Sequence, residues 1–376
     1  GAGLCPVRGH SNVQGDRTVG INHKPSSGFL TSLRNTTGII PPTSHGYDSV
    51  TSVMAMLEGE AKVFLSMGGN FVSAMSDTES TSKAIQNCDL TVQISTKPNR
   101  SHLVTGKTAL ILPCLGRTER DVGPEGDQFV TVENSMGVVH SSRGTSRPAS
   151  KHLRSEPSIV AGIADALDRK VGDSNISWLN LSNDYDLIRD MIESAIPGFD
   201  SYNDRVREPS GFYLPNPPRD DLTFNTDSGK ANFRIHPISV ISPEPDQFVM
   251  MTIRSHDQYN TTVYGLDDRY RGIKQARRIV LMCKEDMINL GIKTGTMVDL
   301  ISHFGDDSLF APKWRVVEYE IPSGNIATYF PEANCLIPLN SVAEGSNTPT
   351  SKSVCVTVQP SSQNMRFWNS KATQAA

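Results

Sequence analysis

Three segments of the sequence concentrate side chains able to bind or orient a polar ligand. CPVRGHSNVQGDR (5–17) packs Arg8, His10, Asn12, Gln14, Asp16 and Arg17 between glycines. Surface loops rarely pack Arg, His, Asn and Gln around tight glycines, so this loop reads as functional. TIRSHDQYNTTVYGLDDRYRG (252–272) follows an apolar run and offers Arg254, Ser255, His256, Gln258, Asn260, Thr261 and Thr262 almost without apolar interruption. Such a series suits a ligand with many heteroatoms, a pterin or a nucleotide. FPEANCLIPLNSVAEGSNTPTSKS (330–353) is a polar, proline-stiffened loop that runs to Lys352. Its hydroxyls, amides and one ammonium suit phosphate. A weaker cue is Gly68-Gly69-Asn70 at the end of an apolar run. Paired glycines let backbone amides approach a phosphate or ribose, although most such pairs only turn the chain.

Other chemistries are missing from the pattern. No G-x-S-x-G elbow, P-loop, H-E-x-x-H or G-x-G-x-x-G occurs, so hydrolase, P-loop and standard dinucleotide fingerprints are unsupported. The six cysteines form no C-x-x-C pair, which removes zinc ribbons and iron–sulfur cradles. Most sit in apolar contexts, where a buried inert thiol is expected, and their usage suits a reducing cytoplasm. His23, His45, His102, His140, His152, His236 and His303 are scattered and read as surface or core residues, so no metal ligand is expected from this chain.

The elements that must position these residues follow from periodicity. Asp48 to Glu58 predicts a helix with Val50, Val53, Met54 and Leu57 on one face. AKVFLSM (61–67) predicts a strand covered on both faces, then come a helix over about Asp77 to Gln86 and strands LTVQIS (90–95) and ALILP (109–113). This alternation predicts an α/β parallel-sheet, Rossmann-like domain, with ligands at the strands' C-terminal ends. Residues 1–45 read as extended loop, while 157–169 and 184–195 read as helices. After SPEPD (242–246) the runs 248–255, 277–283, 296–302, 314–321 and 353–358 are strand-like, with one short helix over 284–292. That pattern predicts a small closed β-barrel. Domains are expected over 1–245 and 246–360, with a tail at 361–376.

The chain has 376 residues and a net charge of −4, with 20% charged and 37% hydrophobic residues. A chain this long holds two or three domains and a large core. Its balanced charge argues against nucleic acid as a partner. No apolar run approaches the roughly 18 residues of a membrane span. The opening GAGLCPVRGH reads as loop from the interior of a longer chain.

Taken together, the motifs resemble the C-terminal part of molybdopterin oxidoreductases of the formate dehydrogenase alpha-subunit type. PVRGHSNVQG (6–15) is similar to the family's P-x-R-G-x-N-N-V-Q-G loop. MGGNF (67–71) lies where the family has a strand-end loop against one guanine dinucleotide. LPCLGRTE (112–119) precedes a segment like the family's F-x-x-x-E, here Phe129 to Glu133. Residues 248–358 look like its dinucleotide-binding domain, a double-psi-type β-barrel.

The resemblance implies a bis(molybdopterin guanine dinucleotide) cofactor carrying molybdenum or tungsten, and two-electron oxidation of a small substrate such as formate. It places Arg8 and His10 at the catalytic centre, although formate dehydrogenases usually have Gln where His10 stands. Asn12 and Gln14 would face the pterin. Gly68, Gly69, Asn70, Ser95 and Thr96 would contact a guanine dinucleotide. Arg254, His256, Gln258, Asn260 and Thr261, with Asn347 and Lys352, would contact pterin and pyrophosphate. The [4Fe–4S] cysteines and the protein ligand to molybdenum belong to a missing N-terminal half. That half and an electron-acceptor protein are the implied partners, and this chain alone is expected to be inactive. The competing reading is a non-catalytic module that binds the cofactor.

Overall fold

The computed structural model describes residues 12–172, 174–238, 240–261 and 263–361. They form two compact units, one from 12–47, 94–97 and 111–237, the other from 48–93, 98–110 and 238–361.

Helices α1 (Val13–Thr18) and α2 (Ser27–Thr37) stand where composition predicted extended loop. Ser26 caps α2 by accepting from Phe29 N at 3.2 Å, and Gly38 ends it in the left-handed region. Next come α3 (Ser49–Leu57), β1 (Val63–Met67), α4 (Phe71–Ala74), α5 (Thr78–Asn87), β2 (Leu90–Ser95) and β3 (Thr108–Pro113). Asp48 and Asp77 cap α3 and α5 through their carboxylates. The buried face of α3 is Val50, Val53 and Met56, so the expected stripe is rotated and Met54 is exposed.

The sheet order is β1-β2-β3. Leu90 N bonds to Lys62 O where β1 and β2 begin, and Thr108 N to Asp89 O where β2 and β3 begin. Strands that begin side by side run parallel, as expected. The helices cover only one face of β1, where Phe64 joins the core of Val50, Val53, Val72, Ala84 and Ile85. On the other face Val63, Leu65 and Met67 are 58%, 48% and 49% exposed. The expectation of a strand covered on both faces is therefore overturned.

The chain continues through a hairpin of β4 (Val122–Gly123) and β5 (Gly126–Asp127), then β6 (Val130–Glu133), β7 (Val138–Ser142), α6 (Glu156–Val171), α7 (Trp178–Asn183), α8 (Tyr185–Ala195), α9 (Tyr202–Arg205), β8 (Phe212–Tyr213) and α10 (Pro217–Asp220). Strands β6, β7 and β8 make an antiparallel sheet around Val139, Phe199, Tyr202, Val206 and Phe212. Packing on α8 fixes α2 despite its serine- and threonine-rich sequence.

Six strands close the barrel: β9 (Gln247–Ile253), β10 (Ile279–Met282), β11 (Met297–Phe304), β12 (Asp307–Glu318), β13 (Asn325–Tyr329) and β14 (Val354–Pro360), in the order β10-β12-β11-β14-β9-β13. Helix α11 (Lys284–Asn289) is the predicted short helix, and Trp314, Leu300, Val298 and Ile326 lie in the barrel core. Strand β13 and the first half of β12 were not anticipated. The register brings three loops to one end of the barrel. Strands β9 and β13 are parallel, with Ile253 opposite Tyr329, while β14 is antiparallel to β9, with Val354 opposite Met250. The loops that start at Arg254 and Phe330 therefore leave the barrel at the end where the loop carrying Lys352 arrives. Phe330 N–Ile253 O (2.7 Å) and Thr252 N–Ser351 O (2.9 Å) lock that convergence.

Candidate functional site

At this end of the barrel a buried arginine organises the loops. Arg277 donates to Ser255 Oγ at 2.6 Å, Gln258 Oε1 at 3.0 Å, Phe330 O at 2.8 Å and both oxygens of Glu332 at 3.1 Å. Its guanidinium lies 4.4 Å from the Tyr264 ring centroid and 4.6 Å from that of Tyr329. Gln258 also donates to Asn260 O and Phe330 O, both at 2.8 Å. Ser255 and Gln258 are thus occupied in holding the loop, and Asn260 turns it at φ 46. Thr261 is buried.

A second hub is Asp268, 1% exposed at its side chain. Its carboxylate accepts from Tyr329 Oη and Arg271 Nη1, both at 2.7 Å, from His256 N at 3.2 Å and from His256 Nδ1 at 2.9 Å. Burial alone would raise this carboxyl's pKa, but the donors outweigh it and hold the group well below the usual carboxylate range. The His256 ring also lies 4.5 Å from that of Tyr270.

Arg254 and Lys352 are exposed beside this hub. The Lys352 ammonium donates to Thr252 O, and its pKa is lowered by partial desolvation and by the Arg254 charge. Among the described residues neither cation has a carboxylate at ion-pair distance. Two adjacent cations with no carboxylate partner among the described residues can attract an anion.

Of the other expected residues, Gly68 and Gly69 form a left-handed turn ahead of α4, with open space over both, and Asn70 is the residue that precedes the helix. Asn99 Nδ2 donates to Gly69 O at 2.7 Å, and Ser101 Oγ to Asn70 Oδ1 at 2.8 Å. Asn334 Nδ2 donates to Ser73 O and Ala74 O, which ties α4 to the 330s loop. Asn347, at φ 51, donates to Asp48 Oδ2 at 2.9 Å. The turns near 69, 256 and 347 thus belong to one unit.

Asn12, Gln14, Ser95 and Thr96 belong to the other unit. Asn12 Oδ1 accepts from Glu133 N and Gln14 Nε2 donates to Glu133 O, both at 2.8 Å. A Cβ at Gly15 would stand 2.0 Å from Asn12 Oδ1 and displace that side chain from Glu133 N. Ser95 Oγ donates to Lys97 O, and Thr96 lines a cleft of about 410 Å³ with Arg117, Glu119, Arg143 and Tyr185. Arg8 and His10 lie outside the described residues.

Sequence reasoning missed Arg277 and Asp268, both buried in runs that read as strand or loop. It also set aside His102, whose Nδ1 accepts from Asn99 N at 3.0 Å beside the glycine turn, leaving a buried Nε2 with no partner among the described residues. Within the described residues no group of three His, Cys, Asp or Glu is placed to hold a metal, and no helix is long and apolar enough to cross a membrane.

Residues 248–363 match the family described as molydopterin dinucleotide binding domain. This segment contains the barrel and both hubs. An uncharacterized oxidoreductase of Mycobacterium tuberculosis is 50% identical over 366 residues, covering 96% of this chain and 47% of that protein. Protein YdeP of Escherichia coli K12 is 44% identical over 367 residues, covering 96% of this chain and 48% of that protein. The chain spans about half the length of these relatives. Among solved structures, acetylene hydratase from Pelobacter acetylenicus superposes with a TM-score of 0.59 at 12% identity, covering 89% of this chain and 50% of that one. That likeness shows the fold. The family match covers the barrel segment alone, whose named ligand is a molybdopterin dinucleotide, and the Mycobacterium relative carries the name oxidoreductase. The donor set at the barrel end fits such a ligand: paired cations for phosphates and a held imidazole for a heterocycle edge.

Proposed function

We propose that this chain is part of a molybdopterin-dependent oxidoreductase of the formate dehydrogenase type and forms one wall of a bis(molybdopterin guanine dinucleotide) site. The observation that carries the reading is the Arg254–Lys352 couple, which has no carboxylate at ion-pair distance among the described residues and lies inside the residues that match the dinucleotide-binding domain. When bound, the cofactor supplies two-electron chemistry on a small substrate such as formate. In this reading the chain's own residues bind and orient it: Arg254, Lys352, His256, Gln258, Asn260, Thr261 and Asn347 around pterin and pyrophosphate, and Gly68, Gly69, Asn70, Ser95 and Thr96 at a guanine dinucleotide. Asn12 and Gln14 would face the pterin, and the Arg8 guanidinium would fix the substrate carboxylate beside His10. We further read the barrel as double-psi in type and the setting as cytoplasmic.

The partner is the half that the relatives carry beyond the match, with a [4Fe–4S] cluster in it and an electron-acceptor protein beyond it. A parallel sheet normally has both faces covered, and the bare apolar face of β1 supports a missing covering segment. The competing reading, a cofactor-binding module without turnover, draws on the family match being confined to 248–363.

The test compares this chain alone with the chain fused to the uncovered half of the Mycobacterium relative. Molybdenum, pterin content and formate-dependent dye reduction are measured. We expect stoichiometric metal and turnover only in the fused protein, with Arg8→Ala abolishing turnover at unchanged pterin content. Turnover by the chain alone overturns the reading of a portion. A fused protein that retains pterin without turnover on formate or other small oxyanions favours the module, and one without pterin overturns both.

A further inference from the structure

Arg254 and Lys352 explain how the barrel end attracts an anion, but not why an imidazole stands beside them with one edge tied to a buried carboxylate. Asp268 is ionised across the ordinary pH range and can only accept. The 2.9 Å contact from His256 Nδ1 therefore requires the proton on Nδ1. Arg271 Nη1 lies 3.3 Å from the same nitrogen, a longer approach between two donors. Its own 2.7 Å bond to Asp268 Oδ2 draws it to the carboxylate instead. His256 N donates to the second carboxylate oxygen, so ring and backbone are fixed by one group. The side chain stays 43% exposed, and Nε2 has no partner among the described residues.

We infer that Asp268 is a positioning residue that holds His256 as the Nδ1–H tautomer and presents Nε2 as a hydrogen-bond acceptor to a ligand N–H or O–H donor. The barrel end then discriminates between two chemistries. Arg254 and Lys352 take phosphate oxygens, whereas the Nε2 of the Nδ1–H tautomer has no proton to offer them and selects a heterocycle edge or hydroxyl that donates. A nucleotide-linked heterocycle satisfies both, and inorganic phosphates satisfy only the first. The ligand part rests on the proposed cofactor reading; the tautomer part does not.

The tautomer is read from the long-range ¹H–¹⁵N spectrum of the full chain without ligand. We expect a protonated Nδ1 and a bare Nε2 for His256. A protonated Nε2 in the wild-type chain overturns the inference, and this holds even if a variant fails to fold. Asp268→Asn should populate the Nε2–H form, and an unchanged tautomer ratio in a folded variant also overturns it. Guanosine diphosphate and inorganic pyrophosphate then serve as calorimetric probes. Asp268→Asn and His256→Phe should weaken guanosine diphosphate about tenfold, as for loss of one hydrogen bond of about 1.4 kcal/mol, and leave pyrophosphate within twofold. Arg254→Ala should weaken both. Equal losses for both probes in Asp268→Asn overturn the selectivity. Failure of both probes to bind the wild-type chain overturns the ligand part and counts against the cofactor reading, while the spectrum alone decides the tautomer.

Discussion

Arg277 and Glu332 form a buried pair whose removal should be asymmetric. Taking out the arginine leaves Glu332 uncompensated together with the Ser255, Gln258 and Phe330 acceptors. Arg277→Met should cost about 3–5 kcal/mol in urea unfolding, and Arg277→Met/Glu332→Gln clearly less; a double variant at least as unstable as the single would contradict this. Asp268 gives a pH signature. Its folded pKa is depressed, so its stabilisation is full above the ordinary value of 3.8 and fades as pH falls through the lower folded value. Asp268→Asn should therefore flatten the acid side of the stability curve below about pH 4, followed by circular dichroism. At this scale the sequence revealed donors but not their duties. Ser255 and Gln258 stood out as ligand contacts, yet Arg277 already occupies them. Asn260 and Asn347 sit at positive φ, which asparagine tolerates, so a backbone reason accompanies any ligand role. Nothing in one sequence marks Asp268 as the residue to which His256 is tied twelve positions away.

Among the elements, caps and strand runs were legible because they are local. Asp48 and Asp77 before helices, the apolar runs of β2, β10, β11 and β14, and the acidic first turn of α11 all follow from neighbours in sequence. Strand β13, Asn325–Tyr329, escaped because its five residues carry little apolar signal and owe their state to pairing with β9 and β10. Helices α1 and α2 escaped because tertiary packing overrides their weak propensity. Helix α1 offers a test. A Cβ at Gly15 would meet Asn12 Oδ1 at 2.0 Å and Glu133 Cβ at 3.2 Å. Gly15→Ala should cost about 1–3 kcal/mol and raise amide exchange at Glu133 N, which Asn12 protects, with little change at β14. Uniform exchange across the chain would show that the contact is not the cause. Asp48→Ala should cost about 1 kcal/mol through loss of the α3 cap, and somewhat more because Asn347 loses its acceptor.

For the whole molecule, what the sequence did not disclose is what covers each face. AKVFLSM reads as a fully buried strand, and in a complete parallel sheet it would be one; here only its Phe64 side is packed. An apolar run encodes that a strand is to be buried but not by which segment. This sets up a measurement. On the bare face Leu65 is 48% exposed, and Leu65→Lys should change the stability of this chain by less than about 0.5 kcal/mol. The same substitution places a charge in the proposed interface with the uncovered half of the Mycobacterium relative. It should weaken association at least tenfold by analytical ultracentrifugation, while Lys83→Glu, on the exposed side of α5 in an ion pair with Glu79, should leave association unchanged. A large loss of stability in the isolated chain would mean that the face is already covered within this chain. Unchanged association in Leu65→Lys would move the interface elsewhere. Loss of a self-associated species instead would assign the face to a second copy, and the parallel sheet would then be completed by symmetry rather than by the half that the relatives carry beyond the match.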